Sequence, residues 1–224
     1  IKSVIVPGVF FEELGIRYIG PIDGHDIDEL IKTLSAVKEF DSPVIVHAIT
    51  EKGKGYKHAE KHPERFHGLP AFDPSSGENI NENEAASFSG AFGKILCEMA
   101  DKKKDITAIT AAMKQGTGLT SFAKKFPDRF FDVGIAEEHA VIFAAGLAIG
   151  GYVPFVAVYS TFLQRALDYV YHDVCLQRLP VIICVDRAGI VEDGPTHHGI
   201  YDLSFLRAIP ELVILSPKDS RELR

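Results

Sequence analysis

Apolar positions along this chain fall into short runs, separated by Gly, Pro and charged residues. "SPVIVHAIT", "DITAITAAM", "RFFDVGI", "YVPFVAVY", "PVIICVDR" and "ELVILSP" are rich in β-branched and aromatic residues and are bounded by turn formers, so each reads as a strand. "IRYIGPIDGHD" reads as a strand running into a turn. Asp26 then caps a helix over roughly 27–39, with Glu29 as its capping-box partner. Helical patterns follow over about 84–101, within "TSFAKKFP", over about 136–149 and along "TFLQRALDYVYHDVCLQR". Strands that alternate with helices predict an α/β protein, a parallel sheet with helices on both faces. Ligands of such sheets bind beyond the carboxyl ends of the strands. The loops after Met113, Val133, Val158, Asp186 and Leu215 are therefore where chemistry is expected.

One stretch breaks the alternation. "EKGKGYKHAEKHPERFHGLPAFDPSSGEN" has no period and many Gly, Pro and charged residues. It reads as a long ordered loop passing into a linker, and a loop of that length in a compact protein is more often functional than idle. The resulting division is 1–57 as the end of one α/β domain, 58–83 as linker and 84–224 as a second domain. No internal repeat or low-complexity tract is visible.

Composition adds exclusions. With 46% apolar residues the 224-residue chain can build a real core. A net charge of −7 argues against a general nucleic-acid binder. No apolar run reaches membrane-spanning length, so no membrane partner is expected. Cys97, Cys175 and Cys184 are odd in number, widely spaced and set among apolar residues. They read as reduced core thiols of a cytoplasmic protein. The start "IKSVIVPGVFFEELG" does not read as a signal peptide and carries no initiator Met, and the end "SPKDSRELR" falls in a helix start. The chain is expected to be a piece of a longer protein.

Three polar clusters stand out. In "VGIAEEHAVIFAAGLAIGGY" two carboxylates and an imidazole open an almost wholly apolar helix. Acidic residues in a first turn can simply offset the helix dipole. Glu137, however, shares a stripe with Val141, Ala144 and Ala148, which places it on the buried side. Burial penalises the charged form of a carboxyl, which suits proton exchange at a strand's carboxyl end. "RAGIVEDGPTHHGIYD" follows a strand and holds Arg187, Asp193, His197 and His198. It is a catalytic loop or an ordinary glycine-rich surface loop; adjacent histidines without a third ligand make a poor metal site. "EKGKGYKHAEKHPERFHG" lacks phosphate-loop spacing, and no nucleophile elbow is present.

Taken in order, "YIGPIDGHD", "EKGKGY", "FHG", "DVGIAEEHAVIFAAGLA", "YSTFLQRA", "DRAGIVEDGPTHHG" and "YDLSFLR" resemble the 1-deoxy-D-xylulose-5-phosphate synthases, thiamine-diphosphate enzymes of the transketolase superfamily. The resemblance spans essentially the whole chain. It implies a thiamine-diphosphate-binding fold of the pyrimidine type over 84–224. It also implies condensation of pyruvate with glyceraldehyde 3-phosphate, with loss of carbon dioxide, in non-mevalonate isoprenoid, thiamine and pyridoxal synthesis. By the same resemblance Glu137 hydrogen-bonds the aminopyrimidine ring and promotes loss of the thiazolium C2 proton. Phe162 stacks on the pyrimidine, Ile135 props the bent cofactor, and Tyr56 belongs to the cofactor contacts. His197 and His67 line the substrate side and transfer protons. Tyr159, Arg165, Arg187 and Asp193 surround the substrate carboxylate and phosphate, although either arginine can instead pair with Asp186 or Asp193 and brace its loop. Glu138, His139, His198 and His25 are expected to be structural.

The family holds Mg2+ and the cofactor diphosphate through a G-D-G motif and a later Asn-rich segment, neither of which is in this sequence. Metal ligands are accordingly expected outside it, and the chain is expected to carry the pyrimidine half of the site, within a homodimer. A transketolase or dehydrogenase E1 β subunit, or a folded but inert module, remain the competing readings.

Overall fold

The computed structural model describes residues 8–69, 71–80 and 87–224. The chain divides into two compact units, Ile1–Glu82 and Asn83–Arg224.

In the first unit, helix α1 (Val9–Glu13) leads into strand β1 (Arg17–Asp23), helix α2 (Ile27–Val37) and strand β2 (Val44–Ile49). The two strands pair in parallel. Asp26 caps α2 as expected, its Oδ1 accepting from Glu29 N at 3.0 Å. Glu29 reaches back to Asp23 N at 3.3 Å, three residues further than a capping box requires. His25 Nε2 accepts from Glu51 N at 2.7 Å and ties the turn after β1 to the chain after β2.

The aperiodic stretch after β2 is less loop-like than its sequence suggests. It contains a short helix, α3 (Lys57–Lys61), and a 3-10 turn at Arg65–His67. Tyr56, Phe66 and Phe72 pack against one another with centroids 5.4–6.1 Å apart, and Asp73 accepts from Ser75 N and Oγ at 2.8 Å. Three aromatic rings spaced unevenly in sequence leave no period to read, yet suffice to order the segment.

The second unit opens with helix α4 (Phe88–Lys102), capped by Ser87, whose Oγ accepts from Gly90 N at 3.1 Å. Residues 84–86, expected to start this helix, lie outside the described residues. Then come β3 (Ile106–Thr110), helix α5 (Thr120–Lys125), β4 (Phe130–Asp132), helix α6 (Glu137–Ile149), β5 (Val153–Tyr159), a composite helical segment over 160–175, and β6 (Ile182–Asp186). The strands form one parallel sheet in the order β4-β3-β5-β6.

Both faces of the sheet are covered, which explains why its central strands show no alternation of exposed and buried positions, with Thr107 and Thr110 buried among apolar residues. Ile109, Val156 and Val158 point to one side, where α6 and the composite segment pack. Ile106, Ala108, Phe155 and Ala157 point to the other, where Leu96 of α4 and Phe122 of α5 meet them. Helix α6 is built from small residues on its buried side: Val141, Ala144 and Ala148 are buried, as the stripe predicted, and Ala140 and Ala145 are buried beside them. Its other side carries His139, Ile142, Gly146 and Ile149, with Ile142 43% and Ile149 68% exposed.

Two expectations need correction. "ELVILSP" forms no strand; Val213 and Leu215 are 79% and 84% exposed, and no ladder pairs this segment with β6. An apolar, β-branched run marks strand propensity, but a strand exists only where a neighbour supplies its hydrogen bonds. "TFLQRALDYVYHDVCLQR" is helical but not one α-helix: it passes through α, 3-10, α and finally π geometry at Val170–Cys175. The three cysteines are unpaired, and burial raises each thiol, Cys184 to about 12. They are therefore protonated at neutral pH. No helix among the described residues is long and apolar enough to cross a membrane.

Candidate active site

Parallel strands bring their carboxyl ends to one edge of the sheet, so Asp132, Thr110, Tyr159 and Asp186 end β4, β3, β5 and β6 on the same side, with Asp132 paired to Thr110 and Tyr159 to Asp186 in register. Two residues with strained backbone lie along this edge. Ala112 after β3 and Arg187 after β6 have φ of 60° and 59°, values that non-glycine residues rarely adopt. Ala112 is held by Asp132, whose Oδ1 accepts from Ala112 N at 2.8 Å and from Gly134 N at 3.1 Å. The second of these bonds shapes the turn that delivers α6.

Glu137 is the first residue of α6 and only 2% exposed. Its side-chain oxygens both accept from Nη1 of Arg165, each at 3.2 Å. Arg165 is half-exposed, so the pair has one buried and one wet member. The guanidinium also lies 5.5 Å from the centre of the Phe162 ring. Phe162 in turn stacks on Tyr159 at 5.8 Å and meets His197 edge-on at 5.4 Å. Arg187 covers the Tyr159 ring at 4.4 Å. Six of the expected site residues, Glu137, Arg165, Phe162, His197, Tyr159 and Arg187, thus form one continuous chain of contacts, and Asp193 joins it through Arg187 Nε at 3.6 Å.

The surroundings tune this chain. Burial holds the Tyr159 hydroxyl above its ordinary range against the opposing pull of Arg187. Burial disfavours the charge on Arg187, but its hydrogen bond to Asp186 and the nearby Tyr159, Asp186 and Asp193 outweigh that and raise it. Gly116 has its carbonyl on Arg187 Nη1 at 3.0 Å, and a Cβ there would stand 1.7 Å from the Tyr159 hydroxyl. Only glycine lets the two side chains lie so close to this loop. His197 Nδ1 is 2.9 Å from Thr196 Oγ1.

Other expected residues are placed less tellingly. Ile135 is 82% exposed in the turn before α6. In the first unit, Tyr56 donates its hydroxyl to Pro74 O at 2.8 Å and packs in the aromatic cluster, while His67 Nδ1 lies 3.1 Å from Lys52 Nζ. His198 reaches Val191 O at 3.1 Å and His139 stacks on Phe143, both structural contacts. Reading the sequence missed Ser89 and Gly116 altogether. Ser89 Oγ donates to Asp186 Oδ2 at 2.7 Å across 97 positions, a pairing that no local pattern announces.

The buried carboxylate of Glu137, joined through Arg165 to the ring of Phe162 and on through Tyr159 to Arg187, suits a heteroaromatic ring bearing a basic nitrogen and anionic substrates. Among the described residues no cluster of His, Cys, Asp and Glu is arranged to hold a metal ion.

The chain belongs to the transketolase pyrimidine-binding family: residues 84–224 match the model described as "Transketolase, pyrimidine binding domain". Within that family its sequence sides with one enzyme. Residues 1–50 match the model described as "1-deoxy-D-xylulose-5-phosphate synthase". The protein of that name from Caldanaerobacter subterraneus subsp. tengcongensis is 60% identical over all of this chain, and those from Aquifex aeolicus and Escherichia coli are each 57% identical over the same extent. The chain spans about a third of these relatives, 36% of each. Among solved structures, a transketolase from Campylobacter jejuni matches 96% of this chain and 44% of its own, with a TM-score of 0.57 at 18% identity, a likeness of fold. A protein described as a split-gene transketolase, an inactive β4 tetramer, matches 59% of this chain and 43% of its own at 34% identity and TM-score 0.52.

The Glu137–Arg165 pair makes a testable statement about stability. Removing the cation leaves a buried carboxylate uncompensated, which costs about 3–5 kcal/mol in a fully buried pair. The exposure of Arg165 reduces that to about 1–2 kcal/mol for Arg165→Ala. Denaturant unfolding of the cofactor-free wild type, Arg165→Ala, Glu137→Gln and the double variant measures it. The loss from Arg165→Ala is expected to disappear in the Glu137→Gln background; an equal loss there would mean that the pair contributes nothing.

Proposed function

We propose that this chain carries the pyrimidine half of the active site of a thiamine-diphosphate-dependent transferase. The reaction condenses pyruvate with D-glyceraldehyde 3-phosphate, releases carbon dioxide and yields 1-deoxy-D-xylulose 5-phosphate, for isoprenoid, thiamine and pyridoxal synthesis. The observation that carries the reading is the buried Glu137 at the head of α6, in one contact chain with Phe162, His197 and two arginines. The 57–60% identity to proteins named for this reaction favours it over a transketolase or E1 β subunit. Residues 1–57 would close the diphosphate-binding domain, 58–83 would link, and 84–224 would be the pyrimidine-binding domain. That division is supported by family matches over 1–50 and 84–224.

The residues present fit the pyrimidine end of the cofactor. Glu137 supplies a buried carboxylate for the protonated ring nitrogen, Phe162 an aromatic face, and Ile135 an apolar prop on the turn before α6. By the resemblance Tyr56 would also be a cofactor contact. Thiamine diphosphate, when bound, supplies the electron sink for decarboxylation. The diphosphate and its Mg2+ would be held by residues outside this sequence. Glu137, whose charge Arg165 offsets, would hold and share one proton with the ring nitrogen. His197 and His67 would move protons on the substrate side. Tyr159, Arg165, Arg187 and Asp193 would orient the carboxylate of pyruvate and the phosphate of the acceptor, arginine being suited to both by its fixed, bidentate charge.

The assembly would be a cytoplasmic homodimer. Its support is the exposed side of α6, where His139, Ile142, Gly146 and Ile149 recur at spacings of three and four, the seam pattern of paired helices. Ile142→Glu is expected to convert dimer to monomer in sedimentation velocity with helix content retained; an unchanged sedimentation coefficient would remove α6 from the interface.

Glu137→Gln keeps the side-chain shape but loses the exchangeable proton. Positioned proton transfer contributes about 10²–10⁴-fold, so hydrogen–deuterium exchange at cofactor C2 in the full-length protein is expected to slow by that order. Exchange at the wild-type rate would take Glu137 out of the mechanism.

Arg187→Ala tests the acceptor assignment. Loss of a charge-assisted contact to phosphate is expected to raise KM for glyceraldehyde 3-phosphate by about ten- to a hundredfold and to leave unphosphorylated glyceraldehyde nearly unaffected. Equal losses for both acceptors, with a lower melting temperature, would instead make Arg187 a brace for its loop.

A further inference from the structure

Arg187 is held from more directions than a loop brace requires. Its backbone sits at φ 59°, and the conformation persists because Asp186 Oδ1 accepts both Arg187 N at 2.7 Å and Arg187 Nη1 at 2.9 Å. The second Nη1 hydrogen goes to Gly116 O at 3.0 Å, and the guanidinium carbon lies 4.4 Å from the centre of the Tyr159 ring. Both Nη1 donors are thereby used, and Nε faces Asp193 at 3.6 Å, beyond hydrogen-bond length. Among the described residues Nη2 has no hydrogen-bond partner.

The anchor beneath this arrangement is Ser89. A serine near the start of a helix commonly bonds nearby backbone. Ser89, in the first turn of α4, instead donates its hydroxyl to Asp186 Oδ2 at 2.7 Å. With one oxygen tied to α4 and the other holding Arg187 twice, the Asp186 carboxylate cannot rotate without breaking one of its bonds. A long, exposed arginine normally loses rotamer freedom when it grips an anion; an arginine already fixed does not.

We propose that Asp186 and Ser89 are positioning residues that aim the Nη2 edge of Arg187 at the phosphate of the acceptor substrate, and so set the preference for phosphorylated over unphosphorylated aldehydes. This rests on the reading of Arg187 as a phosphate contact. Neither residue touches substrate; both act through Arg187. Ser89 matters because it locks the carboxylate, and Asp186 because it orients the guanidinium.

The test uses the full-length protein with pyruvate saturating and compares kcat/KM for D-glyceraldehyde 3-phosphate with that for D-glyceraldehyde. Ser89→Ala is expected to lower this ratio by about 3–10-fold, chiefly through KM of the phosphorylated acceptor, the effect of losing one hydrogen bond to a charged group. Ser89→Thr, which keeps the hydroxyl, is expected to restore it. In an Arg187→Ala background Ser89→Ala is expected to change the ratio no further, because the group it aims is gone. A selective loss in Arg187→Ala with none in Ser89→Ala overturns the positioning role while leaving the phosphate contact standing. An undiminished Ser89 effect in the Arg187→Ala background, or a Ser89→Ala loss shared equally by both acceptors with a fall in melting temperature, overturns it as well. No change of ratio in Arg187→Ala itself refutes the phosphate contact and this proposal with it.

Discussion

A carboxylate buried at the head of an apolar helix sets the terms for everything around it. Leaving Glu137 charged and unpaired among apolar neighbours would be expensive. Its position in the first turn of α6 gives it the favourable end of the helix dipole, a modest contribution. Arg165 supplies the rest, and it can do so only because the composite segment after β5 turns its first residues back over α6. The same turn presents Phe162 between Arg165 and His197. Packing that brings α6 close to the sheet depends on alanines at 140, 144, 145 and 148. Thus the buried charge, the small-residue face and the aromatic wall of the site are one arrangement.

The second constraint is topological. A parallel sheet with helices on both faces delivers every strand's carboxyl end to one edge, and two residues of unusual backbone, Ala112 and Arg187, stand there. Ala112 and Arg187 adopt left-handed conformations at the ends of β3 and β6, each secured by an aspartate that ends a strand, Asp132 for the first and Asp186 for the second. Two carboxylates at strand ends serving as backbone clamps leave Glu137 as the carboxylate of this edge that is directed to an ion pair with Arg165. Strain of this kind persists where surrounding contacts over-determine it, and it marks the edge as built for aiming side chains.

Much of this was legible along the chain. The central strands β3 and β5 are buried on both faces, so they lack polar–apolar alternation; the polar groups β3 does bury belong to Thr107 and Thr110, and the Thr110 hydroxyl donates to Ala157 O. The burial of Glu137 could be read from its spacing to Val141, Ala144 and Ala148, because a helix of known period converts sequence spacing into a face. The motifs and their order along the chain point to the family, and the family matches agree. The unpaired "ELVILSP" shows the limit of the same logic. Strand propensity is a property of the segment, while a ladder is a property of two segments. The aromatic cluster of Tyr56, Phe66 and Phe72 escaped notice for a similar reason, since three rings at irregular intervals have no period.

Only tertiary structure decided who meets whom at the site. For Arg165 and Arg187 the expected partners were the substrate's anions, by resemblance, or Asp186 and Asp193; folding put Arg165 on Glu137 instead, 28 residues away, and Arg187 on Asp186, Asp193 and the Gly116 carbonyl. Ser89 had no feature to single it out until α4 brought its hydroxyl to the end of β6, 97 positions along the chain. The physical reason is the range of the signals. Hydrophobic periodicity and turn chemistry act within a few residues, so the sequence by itself determines which segments become strands and helices and which side each one buries. Hydrogen bonds and ion pairs between side chains act over a few ångströms of space, so their partners are chosen by how those elements pack.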